Sequence, residues 1–116
     1  MFFEQYSHEP FIATSRFWLQ HKPESREKTA LLASKRDGGW AALRVMEDHL
    51  ASNNFFADDY SIADIAIWPW VSRYEWQTVD LNAYPNVKRW YTVIARRPAV
   101  QRGYKVPKDA GEIPMP

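Results

Sequence analysis

Residues 60–71 read YSIADIAIWPWV, and this stretch decides the fold. Ser61 and Asp64 have the spacing of a helix capping box, in which the Ser61 hydroxyl accepts from the amide of Asp64 and the Asp64 carboxylate accepts from the amide of Ser61. Such a cap stabilises a helix by about 1 kcal/mol. The helix that follows is apolar on nearly every face, a pattern typical of burial on every side. We therefore expect it to be the core helix of the domain.

Proline and glycine positions divide the rest of the chain into four further helices, with no alternation typical of strands. The five predicted helices, including the capped one, cover residues 2–21, 23 to about 50, 61 to about 77, 85 to about 96, and 98–102. We expect a kink at Pro10 in the first helix and a bend at Pro69 in the third. Proline cannot donate a backbone hydrogen bond, which explains both expected distortions. The second helix is predicted to continue through Gly38 and Gly39, although two interior glycines cost about 1 kcal/mol each.

The spacing of apolar residues indicates which helix faces enter the core. In the second helix the inner face carries Leu32, Leu43, Met46 and Leu50, and in the fourth it carries Val87, Trp90, Tyr91 and Ile94 at i, i+3, i+4 and i+7. Residues 105–116 contain three prolines and are predicted to be an extended or disordered tail. The predicted fold class is all-α, a bundle of about five helices around the capped core helix, with the domain over residues 1–104.

Composition excludes several classes of protein. A chain of 116 residues is expected to form one domain, and six Trp, six Tyr and six Phe provide material for its core. A net charge of +1 gives no reason to expect nucleic acid or an anionic membrane as a partner. The absence of cysteine fits a reducing compartment, so the predicted location is cytoplasmic. The longest apolar run is far shorter than the roughly 20 residues of a membrane helix.

The residues alone define no self-contained active site. There is no glycine-rich phosphate loop and no nucleophile-elbow serine. The three histidines, His8, His21 and His49, lie far apart and lack partners at metal-ligand spacing, so no metal site is expected. This pattern favours a module without catalytic residues of its own.

Three motifs resemble the C-terminal, all-helical domain of glutathione S-transferases. The capped helix at 61–70 is similar to the core helix of that domain, and the segments 84–90 (YPNVKRW) and 95–100 (ARRPAV) resemble its next helix and closing Arg-Pro turn, in the same order. The resemblance implies a preceding thioredoxin-like domain that binds glutathione as a co-substrate and supplies the catalytic residue. It also implies a homodimer and a small hydrophobic electrophile as second substrate. The chain alone is then expected to be inactive.

The resemblance implies that the first helix and the core helix form one wall of the co-substrate pocket. The candidate substrate-binding residues are Tyr6, His8, Glu9 and Trp68. Three of them also have a plainer interpretation: Tyr6 and Trp68 as core residues, and His8 as a solvated surface residue. Ser61 and Asp64 are predicted to be structural capping residues rather than functional ones.

Two other functions remain open on the sequence. One is a stand-alone helical module for protein interaction, and the other is a non-catalytic binder of hydrophobic ligands that uses an aromatic pocket between the first and third helices. Apolar residues begin at position 2 without a cap or lead-in loop. This start leads us to expect either a preceding segment or a first helix that begins upstream.

Overall fold

The computed structural model describes Phe3, Phe11, Phe17 and residues 25–116. The predicted helix over residues 2–21, with its kink at Pro10, lies largely outside the described residues. In the described part the chain forms helices α1 (Arg26–Leu50), α2 (Ile62–Val71), α3 (Pro85–Ala95) and α4 (Pro98–Gly103), with short 3₁₀ segments at Tyr74–Gln77 and Leu81–Ala83. These residues contain no strand. The all-α fold class is therefore confirmed.

Helix α1 is continuous through its two glycines, as predicted. It begins at Arg26, because Ser25 is the N-cap and its hydroxyl accepts from the amide of Lys28 at 3.0 Å. The predicted start at residue 23 is therefore wrong by three residues. The ring of Phe11 lies where a Cβ on Gly38 would be. Glycine at this position thus allows a close approach that alanine would block.

Helix α2 ends at Val71, so the prediction that it reaches residue 77 is wrong. Pro69 cannot donate to the carbonyl of Ile65, which weakens the last turn. Ser72 then closes the helix: its amide donates to Trp68 O at 2.9 Å and its hydroxyl donates to Pro69 O at 2.6 Å. The chain continues as a 3₁₀ segment that ends at Thr78 in the left-handed conformation, with φ 56°.

One face of α2 is exposed, which contradicts the expectation of burial on every side. Asp64, Ile67, Trp68 and Val71 are buried. Ile62 is 69% exposed and Ile65 53% exposed, and Pro69 continues the same face one turn later. Apolar composition identifies surface that can be buried, but not whether a neighbour covers it. In the described part of the chain α2 packs against α3, which covers its other side.

Helix α3 lies against each of the other three helices and the second 3₁₀ segment. Its predicted stripe is confirmed, since Val87, Trp90, Tyr91 and Ile94 are all at most 1% exposed. The inner face of α1 is also confirmed: Leu32, Leu43, Met46 and Leu50 are buried. Together these side chains form most of the hydrophobic core.

The tail after α4 contains no helix or strand, yet part of it contacts the core. Ile113 packs against the core cluster, and the Tyr91 hydroxyl donates to Pro114 O at 2.7 Å. Burial, with a smaller contribution from the neighbouring Tyr74, raises the pKa of Tyr91. No helix in the described residues is long and apolar enough to cross a membrane.

Candidate functional site

An open cavity of about 570 Å³ lies between α2, α4 and the tail. Helix α2 provides one wall, α4 and its C-terminal Tyr104 provide the second, and the tail residues Val106, Lys108 and Ala110 provide the third. The side chains that line it are mostly apolar or aromatic, among them Tyr60, Ile65, Trp68, Trp70, Ile94, Val100 and Tyr104. A cavity of this volume and lining is typical of a site for a small organic molecule.

Trp68 forms part of the cavity floor and is also a core residue. Its side chain is 5% exposed, and the indole Nε1 donates to Tyr91 O at 3.1 Å. The indole stacks on the Tyr91 ring at 5.2 Å between centroids and meets the Tyr104 ring edge-on at 6.3 Å. Core packing therefore fixes this ring, and only a small part of it is exposed to the cavity. A role for Trp68 in substrate binding stays a prediction.

Two cationic side chains line the cavity, Arg73 just after α2 and Lys108 in the tail. The Arg73 guanidinium lies 5.3 Å from the centroid of the Tyr104 ring, a cation–π distance. In the part of the chain that the structure describes, no acidic side chain lines the cavity. The cavity thus combines an apolar floor with positive charge.

Asp64 is fully buried and accepts hydrogen bonds with both carboxylate oxygens. Oδ2 accepts from Ser61 N at 3.0 Å and from the Ser61 hydroxyl at 3.4 Å. Oδ1 accepts from Phe56 N at 3.2 Å and from Trp90 Nε1 at 2.7 Å. Since all four donors belong to the protein frame, the carboxylate has a structural role: it caps α2 and joins α2 to α3 and the preceding loop.

The Ser61 hydroxyl provides the second half of the cap of α2. It accepts from the amide of Ala63 at 3.2 Å. The sequence predicted a cap at Ser61 with the amide of Asp64 as donor, whereas the bond comes from the amide of Ala63, and the bond from Trp90 to Asp64 was missed. A general signal was available, because a buried indole N–H almost always finds an acceptor.

Glu47 is a second structural carboxylate that sequence reasoning missed. Its Oε1 accepts from Asn86 N at 3.0 Å and from Asn86 Nδ2 at 2.8 Å, and its Oε2 accepts from Val87 N at 2.9 Å. A side chain of α1 therefore caps the start of α3, where a negative charge is favoured by the helix dipole. Arg89 of α3 in turn donates to Leu50 O at 2.8 Å, at the end of α1.

Tyr6, His8 and Glu9 lie outside the described residues, so their assignment to a co-substrate wall stays a prediction. His49 stacks on Phe56 with ring centroids 5.8 Å apart. Within residues 25–116 and the three described phenylalanines, no group of histidines and carboxylates could hold a metal ion.

The family of the chain follows from its sequence match. Residues 29–92 match the family model described as glutathione S-transferase, C-terminal domain. The match covers more than half of the chain, and the described helices form an all-α domain with a capped helix. The chain belongs to the family of glutathione S-transferase C-terminal domains, and the resemblance seen in its motifs is confirmed.

Known proteins similar to the chain include two disulfide-bond oxidoreductases of Escherichia coli. YfcG is 55% identical over 42 residues, which cover 36% of this chain and 20% of YfcG. YghU is 38% identical over 79 residues, which cover 61% of this chain and 27% of YghU. A glutathione transferase structure from Burkholderia graminis, with two glutathione molecules bound per subunit, has a TM-score of 0.80 at 28% identity. The alignment covers 92% of this chain and 47% of that one, so the chain spans about half of this structural relative.

Proposed function

We propose that the chain is the helical half of a glutathione-dependent enzyme in which it forms the apolar wall for a second substrate. The cavity between α2, α4 and the tail carries this proposal, because its volume of about 570 Å³ and aromatic lining suit a small organic molecule. Membership of the glutathione S-transferase C-terminal domain family supports a glutathione-related function. The Burkholderia relative, which holds two glutathione molecules per subunit, supports glutathione as the co-substrate.

The proposed partner domain is thioredoxin-like and precedes the helical domain in a longer polypeptide. Its docking surface on this chain is the α2 face, defined as Ile62, Ile65 and Pro69. Two largely exposed isoleucines in one helix are a patch that a neighbouring domain would stabilise by burial, at roughly 25 cal/mol per Å² of apolar area. The chain spans about half of the Burkholderia structure, which leaves room for such a domain.

We infer that the partner domain supplies the catalytic group, since this chain contains no cysteine and two of its carboxylates, at positions 47 and 64, are committed to helix caps. Reduction of disulfides is the favoured chemistry, since two similar proteins are named disulfide-bond oxidoreductases. Conjugation of glutathione to a hydrophobic electrophile is the alternative. A homodimer and a cytoplasmic location complete the proposal.

The decisive experiment begins with the polypeptide as its source cells make it. Its intact mass distinguishes a product near 13.7 kDa from a longer parent. The purified protein is then assayed for glutathione-dependent reduction of 2-hydroxyethyl disulfide and for conjugation of 1-chloro-2,4-dinitrobenzene. We expect a longer parent with disulfide reduction exceeding conjugation. A 13.7 kDa product without either activity would refute the proposal and favour a stand-alone module or ligand binder.

Variants of the α2 face test domain docking in the same polypeptide. Ile62→Glu should lower both the thermal stability of the parent and its activity, because the charge would be buried against the partner domain, and Ile62 does not line the cavity. Val93→Glu is the matched control, since Val93 is an exposed aliphatic residue of α3, 46% accessible, outside that face. Equal effects of the two variants would argue against docking at α2.

A further inference from the structure

The net charge of the chain conceals an uneven distribution of charge. Residues 81–116 contain seven basic and two acidic residues, whereas residues 25–80 contain six basic and nine acidic ones. Four of the seven cations are exposed around α4 and the start of the tail: Arg96, Arg102, Lys105 and Lys108. Within the described part of the chain their side chains form no hydrogen bond or ion pair. Their charge is therefore available to a partner.

These four cations, which we call the basic patch, belong to one region of the surface. Arg96 and Lys105 line the same crevice of about 340 Å³ between α3, α4 and the tail. The amide of Lys105 donates to Arg102 O at 3.1 Å, so both side chains leave the same turn. Lys108 follows one residue after Pro107 in the same exposed segment. Cations from three consecutive parts of the chain thus act together.

Two carboxylates of the tail reduce this charge without cancelling it. Asp109 follows directly after the basic patch, and its Oδ1 accepts from Gly111 N at 2.9 Å. Glu112 lines the crevice that Arg96 and Lys105 also line. Four cations against two carboxylates leave a net charge of +2 on this surface. A partner with many negative charges is therefore attracted.

Two exposed apolar side chains lie among the cations. Val106 is 71% exposed and stands between Lys105 and Lys108 in the sequence. Met115 is 50% exposed and lines the crevice with Arg96 and Lys105. Apolar side chains this exposed are stabilised when a partner removes them from water. The matching partner thus offers negative charge and an apolar phase side by side.

We propose that the basic patch docks on membrane surfaces that contain anionic phospholipids. The cations contact the phosphate headgroups, while Val106 and Met115 enter the boundary between headgroups and acyl chains. Nucleic acid fits less well, because binding of single strands uses aromatic side chains on which bases stack. Tyr104, the aromatic residue beside the patch, is half-buried and faces Arg73. The patch shares no residue with the α2 face, and its binding requires neither glutathione nor the proposed function.

Co-sedimentation of the 116-residue chain with lipid vesicles tests the proposal. The probes are vesicles of phosphatidylcholine alone and vesicles with about 30% phosphatidylserine, the anionic lipid. We expect at least about tenfold tighter binding to the anionic vesicles, because each Lys or Arg near such a surface contributes about fivefold. This advantage should largely disappear at about 1 M NaCl, where the Debye length falls to about 3 Å.

Charge-removing variants assign the binding to the patch. The double variant Lys105→Gln/Lys108→Gln should weaken binding to anionic vesicles about tenfold or more. Arg26→Gln/Arg44→Gln is the matched control, because it removes the same charge from exposed positions of α1. The control should bind the vesicles like the wild type. All four residues are exposed, so the variants retain the fold.

An apolar variant tests insertion separately from charge. Val106→Ser should weaken binding to anionic vesicles about threefold, and the loss should be the same at low and at high salt. Val45→Ser is its control, since Val45 is 55% exposed on α1 and lies outside the patch. The control should bind like the wild type.

Three results would overturn the proposal: equal binding to the two kinds of vesicle, no binding to either, or equal losses in the patch and control variants. Tighter binding to soluble polyglutamate, with no effect of Val106→Ser, would also overturn it, because the patch would then serve an acidic macromolecule rather than a lipid surface. Glutathione-dependent activity takes no part in this test. Failure of vesicle binding would therefore leave the proposed function untouched, and loss of that function would leave the membrane patch untouched.

Discussion

Replacing Asp64 by alanine removes the acceptor for four donors, three of them N–H groups in different parts of the fold. Trp90 Nε1 is fully buried, and loss of its 2.7 Å bond to a carboxylate leaves an unsatisfied donor that costs about 1–3 kcal/mol. The amides of Ser61 and Phe56 are part-buried, so water can replace some of their bonds, at about 1 kcal/mol each. We expect the free energy of unfolding to fall by about 3–5 kcal/mol, a large share of the roughly 5–15 kcal/mol typical of a domain.

The measurement is urea unfolding followed by circular dichroism at 222 nm, with two comparison variants. Asp64→Asn keeps an acceptor for Trp90 but places an NH₂ group against the Ser61 amide, so about 1–2 kcal/mol should be lost. Asp58→Ala removes an exposed carboxylate nearby and should change stability by less than about 0.5 kcal/mol. An Asp64→Ala protein within about 1 kcal/mol of wild type would refute the reasoning.

A double-mutant cycle assigns part of the cost to the indole. In a Trp90→Phe background no indole N–H is left unsatisfied, so Asp64→Ala should cost about 1–2 kcal/mol less than in the wild type. If the two changes were simply additive, the 2.7 Å contact between Trp90 Nε1 and Asp64 Oδ1 would contribute no coupling energy, and the bonds from Ser61 and Phe56 would account for the loss.

Two further changes probe the other contacts that hold the frame together. Glu47→Ala should lower the free energy of unfolding by about 2–3 kcal/mol, because three N–H groups at the start of α3 lose their acceptor. Asp48→Ala, on the exposed side of α1, is the control and should have little effect. Comparable losses for the two variants in urea unfolding would contradict the inter-helix cap. Gly38→Ala should destabilise the fold by about 1 kcal/mol or more, since the new Cβ overlaps the Phe11 ring. The control Gly103→Ala places its Cβ in open space and should be neutral or slightly stabilising. If both variants were more stable than wild type in thermal unfolding, the close contact at Gly38 would be disproved.

Local patterns in the sequence predicted local structure well. The Ser61 and Asp64 spacing located the start of α2, and the period of apolar residues identified the buried face of α3. The early end of α2 was missed, because Pro69 was expected to bend the helix and the closing bonds of Ser72 depend on a geometry that spacing does not specify. The start of α1 was missed because Pro23 suits the first turn of a helix, whereas the structure uses Ser25 as the N-cap.

Long-range features could not be predicted in the same way. The bond between Asp64 and Trp90 joins residues 26 positions apart, and Glu47 caps a helix that begins almost 40 positions later. Such contacts depend on how helices pack, which a periodicity does not reveal. For the same reason the exposed face of α2 was predicted to be buried. The aromatic pocket was predicted between the first and third helices, whereas the described cavity lies between α2, α4 and the tail. Its cations stand in a loop and a tail, where no repeating pattern marks them.

Both ends of α2 are tied to α3 by buried hydrogen bonds. Asp64 ties the first turn of α2 to Trp90, and the other end of α2 is tied to α3 by the bond from Trp68 to the Tyr91 carbonyl. The cavity extends along α2 from Tyr60 to Arg73, and neither Arg73 nor Lys108 takes part in either bond. Because α2 is fixed at both ends, the core sets the position of the Trp68 side chain. Changes at Arg73 or Lys108 should therefore leave the fold intact, whereas a change at Asp64 should destabilise it.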